Sequence, residues 1–555
     1  MCQRQCFLFF LVFAGTLFFS SCRGGKLSVR MEEDQKLYIG DDIAIAQTRY
    51  GKIQGYILNG VYTFLGVPYG ASTSGENRFM PPREPAAWEG IRPALFYGND
   101  APQEMRDKWK NNASTFTDHW NYYDVSEDCL NLNVWTPALD GKSRPVLVWL
   151  HGGGFAAGNS VEQDGYNGAN LAKAGNIVFV SVNHRLNAFG FTDFSKVGIP
   201  GLAQSGNVGL LDIVAALGWV RDNISQFGGD PGNVTIMGQS GGGAKVCNVI
   251  SMSSAKGLVH KAVALSGNAT EAMPAGLSSD IGLAIWQAGG SDLAALQKMP
   301  WEEYYALAHR VASEYVRGMD MSHYTGLFGP VGDGINLPMG TFFMDTSSPS
   351  AQIPLLLCST TSEFSLSKED AALEDISFDE AVSLLRDTFS QTRAAELVAA
   401  LRESFPEKKP IELVNLVISG RHNVLATANA KIHQPAPVWL AWFDYNAPLF
   451  DGRIRAFHCS DICYWFKNTD LMVTHTGGGK IPRYVSDRMS SALLAFMKTG
   501  NPNCEILPRW PAYTREDCPT MVFSQDPELR MAPDKKALEL MDPFNPFRMS
   551  ILTEK

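Results

Sequence analysis

The sequence predicts an α/β fold: a mainly parallel central sheet flanked by helices. Three observations carry this. Continuous apolar runs recur, among them 145–150 and 177–182, as in strands buried on both faces. They alternate with helical spacing, as in Leu211, Val214, Ala215, Leu217 and Val220. And the β-branched run before Gly238-Gln239-Ser240-Gly241-Gly242 leads through those glycines into 244–250, which reads as strand, sharp turn, helix.

Taken in order, the chain opens with Arg4 before an apolar run over 7–19 that ends in Ser20-Ser21-Cys22. The run fits a signal-peptide core and is too short to span a bilayer. Small residues before a cysteine resemble a bacterial lipobox, so 1–21 reads as a leader of the lipoprotein type with Cys22 as the lipidated residue. Phe19 stands where that box usually has Leu, which leaves ordinary cleavage and simple secretion as the alternative. Residues 22–45 are polar and read as a tether, and 46–548 as a single domain. A strand-and-turn pattern follows at 51–57 and 61–69. Residues 100–127 have no period and read as a long surface loop. Strands are expected at 130–135, 261–265, 353–357 and 438–443, with a helix over 211–224. The patterns over 272–315 and 378–430 are helical and are expected to form cap segments beside the sheet.

The composition is 45% hydrophobic and 19% charged over 555 residues, ample for a large core. A net charge of −10 without a basic stripe argues against nucleic acid as a partner. Membrane association is expected only through the N-terminal lipid. Of ten cysteines, seven lie beyond Cys22, an odd number that leaves at least one thiol free or paired between molecules. Cys504 and Cys518, flanking a proline-containing segment, are the expected bridge.

The chemistry centres on Ser240. A serine in a sharp turn before a helix is exposed to attack a substrate, with the helix's free N–H groups beside it. Gly241, Gly242 and Gly243 together cost roughly 1 kcal/mol each against alanine in a helix. That makes sense where another backbone or a substrate must approach closely. After the 145–150 strand comes His151-Gly152-Gly153-Gly154-Phe155, a glycine run that can present successive N–H groups to a developing oxyanion. A serine nucleophile needs a base, and the base a carboxylate. His458 follows the 438–443 strand by one loop, and Glu363 lies just past the 353–357 strand. Asp461, three residues from His458, is the rival acid by proximity. No metal-ligand spacing is present, and no metal or organic cofactor is implied.

The chain resembles the type-B carboxylesterase (cholinesterase-like) family over nearly its whole mature length. The matching segments include Phe64-Leu65-Gly66-Val67-Pro68-Tyr69, Glu127-Asp128-Cys129-Leu130-Asn131-Leu132-Asn133-Val134, Asn207-Val208-Gly209-Leu210-Leu211-Asp212 and Phe227-Gly228-Gly229-Asp230-Pro231. The resemblance implies an α/β-hydrolase fold and a serine esterase without cofactors that acts on small-molecule esters. It implies Ser240 as nucleophile, Glu363 as acid and His458 as base. It maps the oxyanion hole to Gly153, Gly154 and Gly241, and makes Ser266 a supporting residue. Trp120 and Phe155 are the expected pocket residues.

Departures from the family pattern carry information. The family turn usually reads Gly-Glu-Ser-Ala-Gly, whereas this chain has Gln239 and Gly241. Gln239 removes a negative charge beside the serine and argues against a cationic alcohol such as choline. Trp120 could hold a cation on its face, but lining an acyl or alcohol pocket suits Gln239 better. The disulfide partner that the family would supply to Cys129 falls near Ala101 and is missing, so Cys129 is expected as a free buried thiol. The family's Gly-Thr-Asn-x-Asp-Glu-Gly has become Cys358 to Phe364, keeping only the Glu. Two other readings stay open at this point: a non-catalytic binding relative, and an amide, carbamate or lipid hydrolase on the same triad.

Overall fold

A computed structural model describes residues 34–104, 112–117, 120–321 and 326–541. The leader and Cys22 lie outside these. Seven parallel strands form the heart of a twelve-stranded sheet. Their spatial order is Val178–Val182, Arg144–Leu150, Gly229–Gln239, Lys261–Leu265, Leu355–Thr360, Val438–Phe443 and Pro519–Phe523. Antiparallel strands extend one edge through Asn131–Thr136, Val61–Pro68, Tyr56–Leu58 and Leu37–Tyr38, and Glu528–Met531 closes the other. Almost every residue of the parallel strands is buried, as expected where helices cover both faces. The predicted helix appears as Val208–Asn223, and Gly241–Ser251 follows the serine strand.

Register sets up the site. Gly238 pairs with Leu150, Gln239 with Leu265, and Leu265 with Cys358. The loops that carry Ser240, His151, Ser266 and Glu363 therefore leave the sheet at one edge, the carboxyl ends of the strands, where open α/β sheets bind ligands.

Both cap segments are helical. The first holds Ala275–Ala288, Leu293–Lys298 and Trp301–Tyr315; the second holds Phe378–Phe389, Gln391–Ser404, Pro410–Ile418 and Arg421–Lys431. The second packs its own apolar cluster, including Leu385, Leu397, Leu413 and Val417, against Trp442 and Val522 of the sheet.

Three expectations need correction. The tether expected to reach residue 45 gives way earlier, because Leu37 and Tyr38 pair with Leu58 and Ile57 at the sheet's edge. The supposed surface loop over 100–127 is partly interior. Asp100 is buried and accepts from the Tyr123 N–H (2.9 Å) and the Asn159 side chain (3.1 Å). Gln103 exchanges two hydrogen bonds with the Gly158 backbone, at 3.0 and 2.8 Å. Such hydrogen bonds offset the cost of burying these side chains. Residues 112–117 are helical. Finally, Cys504 and Cys518 are not bridged, and all seven described cysteines are free thiols. Cys518 is buried with its sulfur turned toward the Arg421 guanidinium, 3.9 Å away, while Cys504 sits half-buried in a loop. Cys129 is a free buried thiol, as expected, and burial holds its pKa far above the ordinary thiol value.

Candidate active site

The serine turn is built by close backbone contact. Ser240 has φ 56° and ψ −126°, a conformation that non-glycine residues rarely adopt and that concentrates at functional sites. Its N–H donates to Leu265 O (2.8 Å), and Ala244 N donates to Ser240 O (3.1 Å), so the turn is held from both sides. The glycines behind it are sterically required. A methyl carbon at Gly242 would come within 2.0 Å of Leu150 O, and one at Gly243 within 2.3 Å of Gly267 O. Ser240 thereby caps the amino end of an eleven-residue helix, where partial positive charge favours a nearby anion.

The glycine loop faces this turn. Gly153 and Gly154 both have positive φ (78° and 65°), and Ala156 and Ala157 donate to Gly153 O at 3.2 and 3.1 Å, curling the loop. The N–H groups of Gly153, Gly154 and Gly241 donate to no other group among the described residues. The loop meets the serine turn at Gly241, where an added methyl carbon would stand 2.1 Å from Gly154 O, and unpaired N–H groups are the equipment an oxyanion needs. Phe155 follows the glycine run. It is buried, its ring edge-on to that of Phe191 (5.3 Å between centroids).

The expected base and acid come together from distant loops. His458 Nδ1 lies 2.5 Å from Glu363 Oε2. The other carboxylate oxygen accepts from Thr360 N (2.7 Å), and His458 N donates to Glu363 O (3.0 Å). Both oxygens of a buried carboxylate are thus engaged, which fixes the imidazole's orientation. Asp461, the rival, is buried nearby but accepts from Trp465 Nε1 (3.1 Å), and burial pushes its carboxyl up to about 7.

Gln239, singled out in sequence, and two residues that were not, Cys459 and Phe364, surround the imidazole. With Nδ1 donating to Glu363, Nε2 presents its lone pair, and the Gln239 amide nitrogen lies 3.3 Å from it. Gln239 is fully buried, and its Oε1 accepts from the Cys459 thiol (3.2 Å). The Phe364 ring stacks with that of His458, 5.6 Å between centroids at 22°. Burial alone would lower the His458 pKa. The Cys459 sulfur and the Glu363 carboxylate outweigh it and hold the imidazole well above its ordinary value.

Not every predicted residue joins the cluster. Ser240 donates no hydrogen bond to His458; such ground-state contacts are often loose until a substrate is bound. Ser266 directly follows the neighbouring strand Lys261–Leu265, and its hydroxyl has no partner among the described residues. Trp120 is partly buried beside Asn121, whose N–H donates to Glu162 O (2.7 Å), and no hydrogen bond or ring contact ties it to the triad. No group of three or more His, Cys, Asp or Glu side chains among the described residues is placed to hold a metal ion.

Known proteins agree with this architecture. The model of the carboxylesterase family matches residues 42–541. The para-nitrobenzyl esterase of Bacillus subtilis is 32% identical over 503 residues, covering 90% of this chain and 98% of that protein. The phenmedipham hydrolase of Pseudarthrobacter oxydans is 30% identical over 492 residues, covering 87% and 95%. Among solved structures, an esterase from Clostridium hathewayi that can hydrolyse aliphatic aromatic polyesters superposes with a TM-score of 0.75 at 32% identity, covering 91% of this chain and 99% of that one. With the family model spanning residues 42–541, the seven parallel strands and the serine turn included, this chain belongs to the carboxylesterase family and is a hydrolase of carboxylic esters.

Proposed function

We propose that ester hydrolysis here runs through an acyl-enzyme on Ser240, with His458 as general base and Glu363 as its orienting acid. The observation that carries this is the 2.5 Å contact between His458 Nδ1 and Glu363 Oε2, at the same sheet edge as the strained serine. His458 takes the Ser240 proton as Oγ attacks the ester carbonyl. The N–H groups of Gly153, Gly154 and Gly241 receive the oxyanion, each worth about 2.7–4 kcal/mol of barrier in comparable sites. The imidazolium then protonates the departing alcohol, and water attacks the acyl-enzyme by the same route in reverse. Glu363 stabilises the imidazolium through both half-reactions.

Gln239 sets the electrostatics of the alcohol side. A buried neutral amide beside the base offers nothing to a quaternary ammonium, so neutral esters are the substrate class. The test is hydrolysis of p-nitrophenyl acetate, butyrate and decanoate by the purified mature chain beside Ser240→Ala. Activity lost in the variant supports the reading, and the preferred chain length sizes the acyl pocket. Activity that persists in the variant overturns it.

A further inference from the structure

Beneath the glycine loop lies a charge that the reaction as described does not use. Lys245, one turn into the helix Gly241–Ser251, is fully buried. Its ammonium donates to the carbonyl oxygen of His151 at 3.0 Å and to that of Gly152 at 3.5 Å, and it sits 5.7 Å from the centre of the Phe155 ring. Two backbone carbonyls, not a carboxylate, take its hydrogen bonds. Burial pushes its pKa down to about 7, and the Glu162 carboxylate pulls the other way. Glu162 is itself buried and accepts from the Tyr166 hydroxyl at 2.7 Å. The two histidines beside the lysine, His151 and His184, stack at 5.0 Å, and burial holds both imidazoles well below their ordinary pKa, hence neutral.

Burying an ammonium whose hydrogen bonds go only to carbonyls is expensive, and an unbranched apolar side chain would fill the space without that cost. The position of the carbonyls suggests what the charge is for. Each carbonyl shares a peptide plane with the next residue's N–H, so Gly152 O belongs to the same peptide as the Gly153 donor. That oxygen lies 3.0 Å from His151 Nδ1, which must carry the proton because a carbonyl only accepts. One peptide therefore receives an imidazole N–H and an ammonium at its oxygen end. Hydrogen bonds at the carbonyl polarise the N–H at the other end and fix the plane's direction.

We propose that Lys245 is a positioning residue of the oxyanion hole: with His151 Nδ1 it orients and polarises the Gly152–Gly153 peptide, so that the Gly153 N–H becomes a stronger donor to the developing oxyanion. The proposal rests on the reading of Ser240 and the glycine loop given above, and the two fail by different outcomes.

The test compares Lys245→Met, which removes charge and donor, with Lys245→Gln, which keeps an N–H donor without the charge. Both are assayed on p-nitrophenyl butyrate and titrated with an alkyl trifluoromethyl ketone. Ser240 Oγ adds to the ketone carbon, its proton passes to His458, and the carbonyl oxygen becomes an anion in the hole. The expected result is a kcat lower by about tenfold or more in Lys245→Met, with KM within about threefold. The ketone's inhibition constant should rise by the same factor as kcat falls, with Lys245→Gln between Lys245→Met and wild type. A merely structural lysine would not couple ketone affinity to kcat. Folded variants with wild-type kcat and ketone affinity overturn the proposal, as does a change confined to KM. Failure of both variants to fold makes the lysine structural and also overturns it. Persistent activity in Ser240→Ala would instead bring down the reading of the site itself.

Discussion

A methyl carbon on Gly241 would stand 2.1 Å from the carbonyl oxygen of Gly154, so the serine turn and the glycine loop touch backbone to backbone. The family turn usually has alanine here. Gly241→Ala is therefore not a harmless return to the usual residue. It should push the loop away and lower kcat roughly 10- to 100-fold, because a displaced oxyanion donor loses most of its value. Steady-state kinetics on p-nitrophenyl butyrate check this; unchanged kcat would mean that the loop yields freely.

Glu363→Gln keeps the shape of the acid and removes its charge. The His458 imidazolium then loses its partner, and kcat should fall roughly 10³- to 10⁴-fold, the scale set by other serine triads. The residual activity should rise with pH at a lower pH than in wild type, since the carboxylate is one of the groups that hold the imidazole's pKa up. The pH profiles of kcat/KM for the two proteins decide it.

Cys459→Ala and Gln239→Glu should move the same proton in opposite senses. The base works only as neutral imidazole, so a raised pKa delays activity to higher pH. Cys459→Ala removes a group that raises it, and the ascending limb should move to lower pH. Gln239→Glu places a carboxylate beside His458 Nε2, and the limb should move up by about one unit. The sign for stability runs alongside. Folding raises the His458 pKa, so this pairing contributes fully below the unfolded imidazole's value of about 6.5 and is lost as pH rises through the folded value. Urea midpoints measured across pH should show that fall shrinking in Cys459→Ala.

The thiols offer an inexpensive check of the fold. Of the seven described cysteines, Cys459 and Cys504 are partly exposed and the other five are buried. An aromatic disulfide reagent should label two positions quickly in native protein that begins at residue 34, and all seven only after denaturation. A titration of five thiols in denatured, unreduced protein would instead reveal a bridge.

Much of the site was legible because its signals are local. Gly238, Gly242 and Gly243 stand out in sequence, and the structure supplies the carbonyls that forbid a side chain at each: Gly242 O, Leu150 O and Gly267 O. Glu363 was readable as a carboxylate just past a strand, but spacing alone gave it no advantage over Asp461, which lies nearer His458 along the chain; only the family resemblance favoured it. Geometry separates them: Glu363 has both oxygens engaged at the imidazole's end, while Asp461 turns to Trp465. The interior course of 100–104 was hidden, since polar residues look exposed in sequence until their buried partners are known.

By itself, then, the sequence determined the alternation of strands and helices, the strained serine turn and the glycine loop. Each depends on spacing within a few residues and on which side chains a backbone tolerates. Only the tertiary structure decided which groups meet the reacting atoms. His458 finds Glu363 across 95 positions, Cys459 finds Gln239 across 220, and Lys245 reaches under His151 across 94. Such contacts are set by sheet register and by where burial makes a charge or a thiol costly to strand, and a local pattern encodes neither.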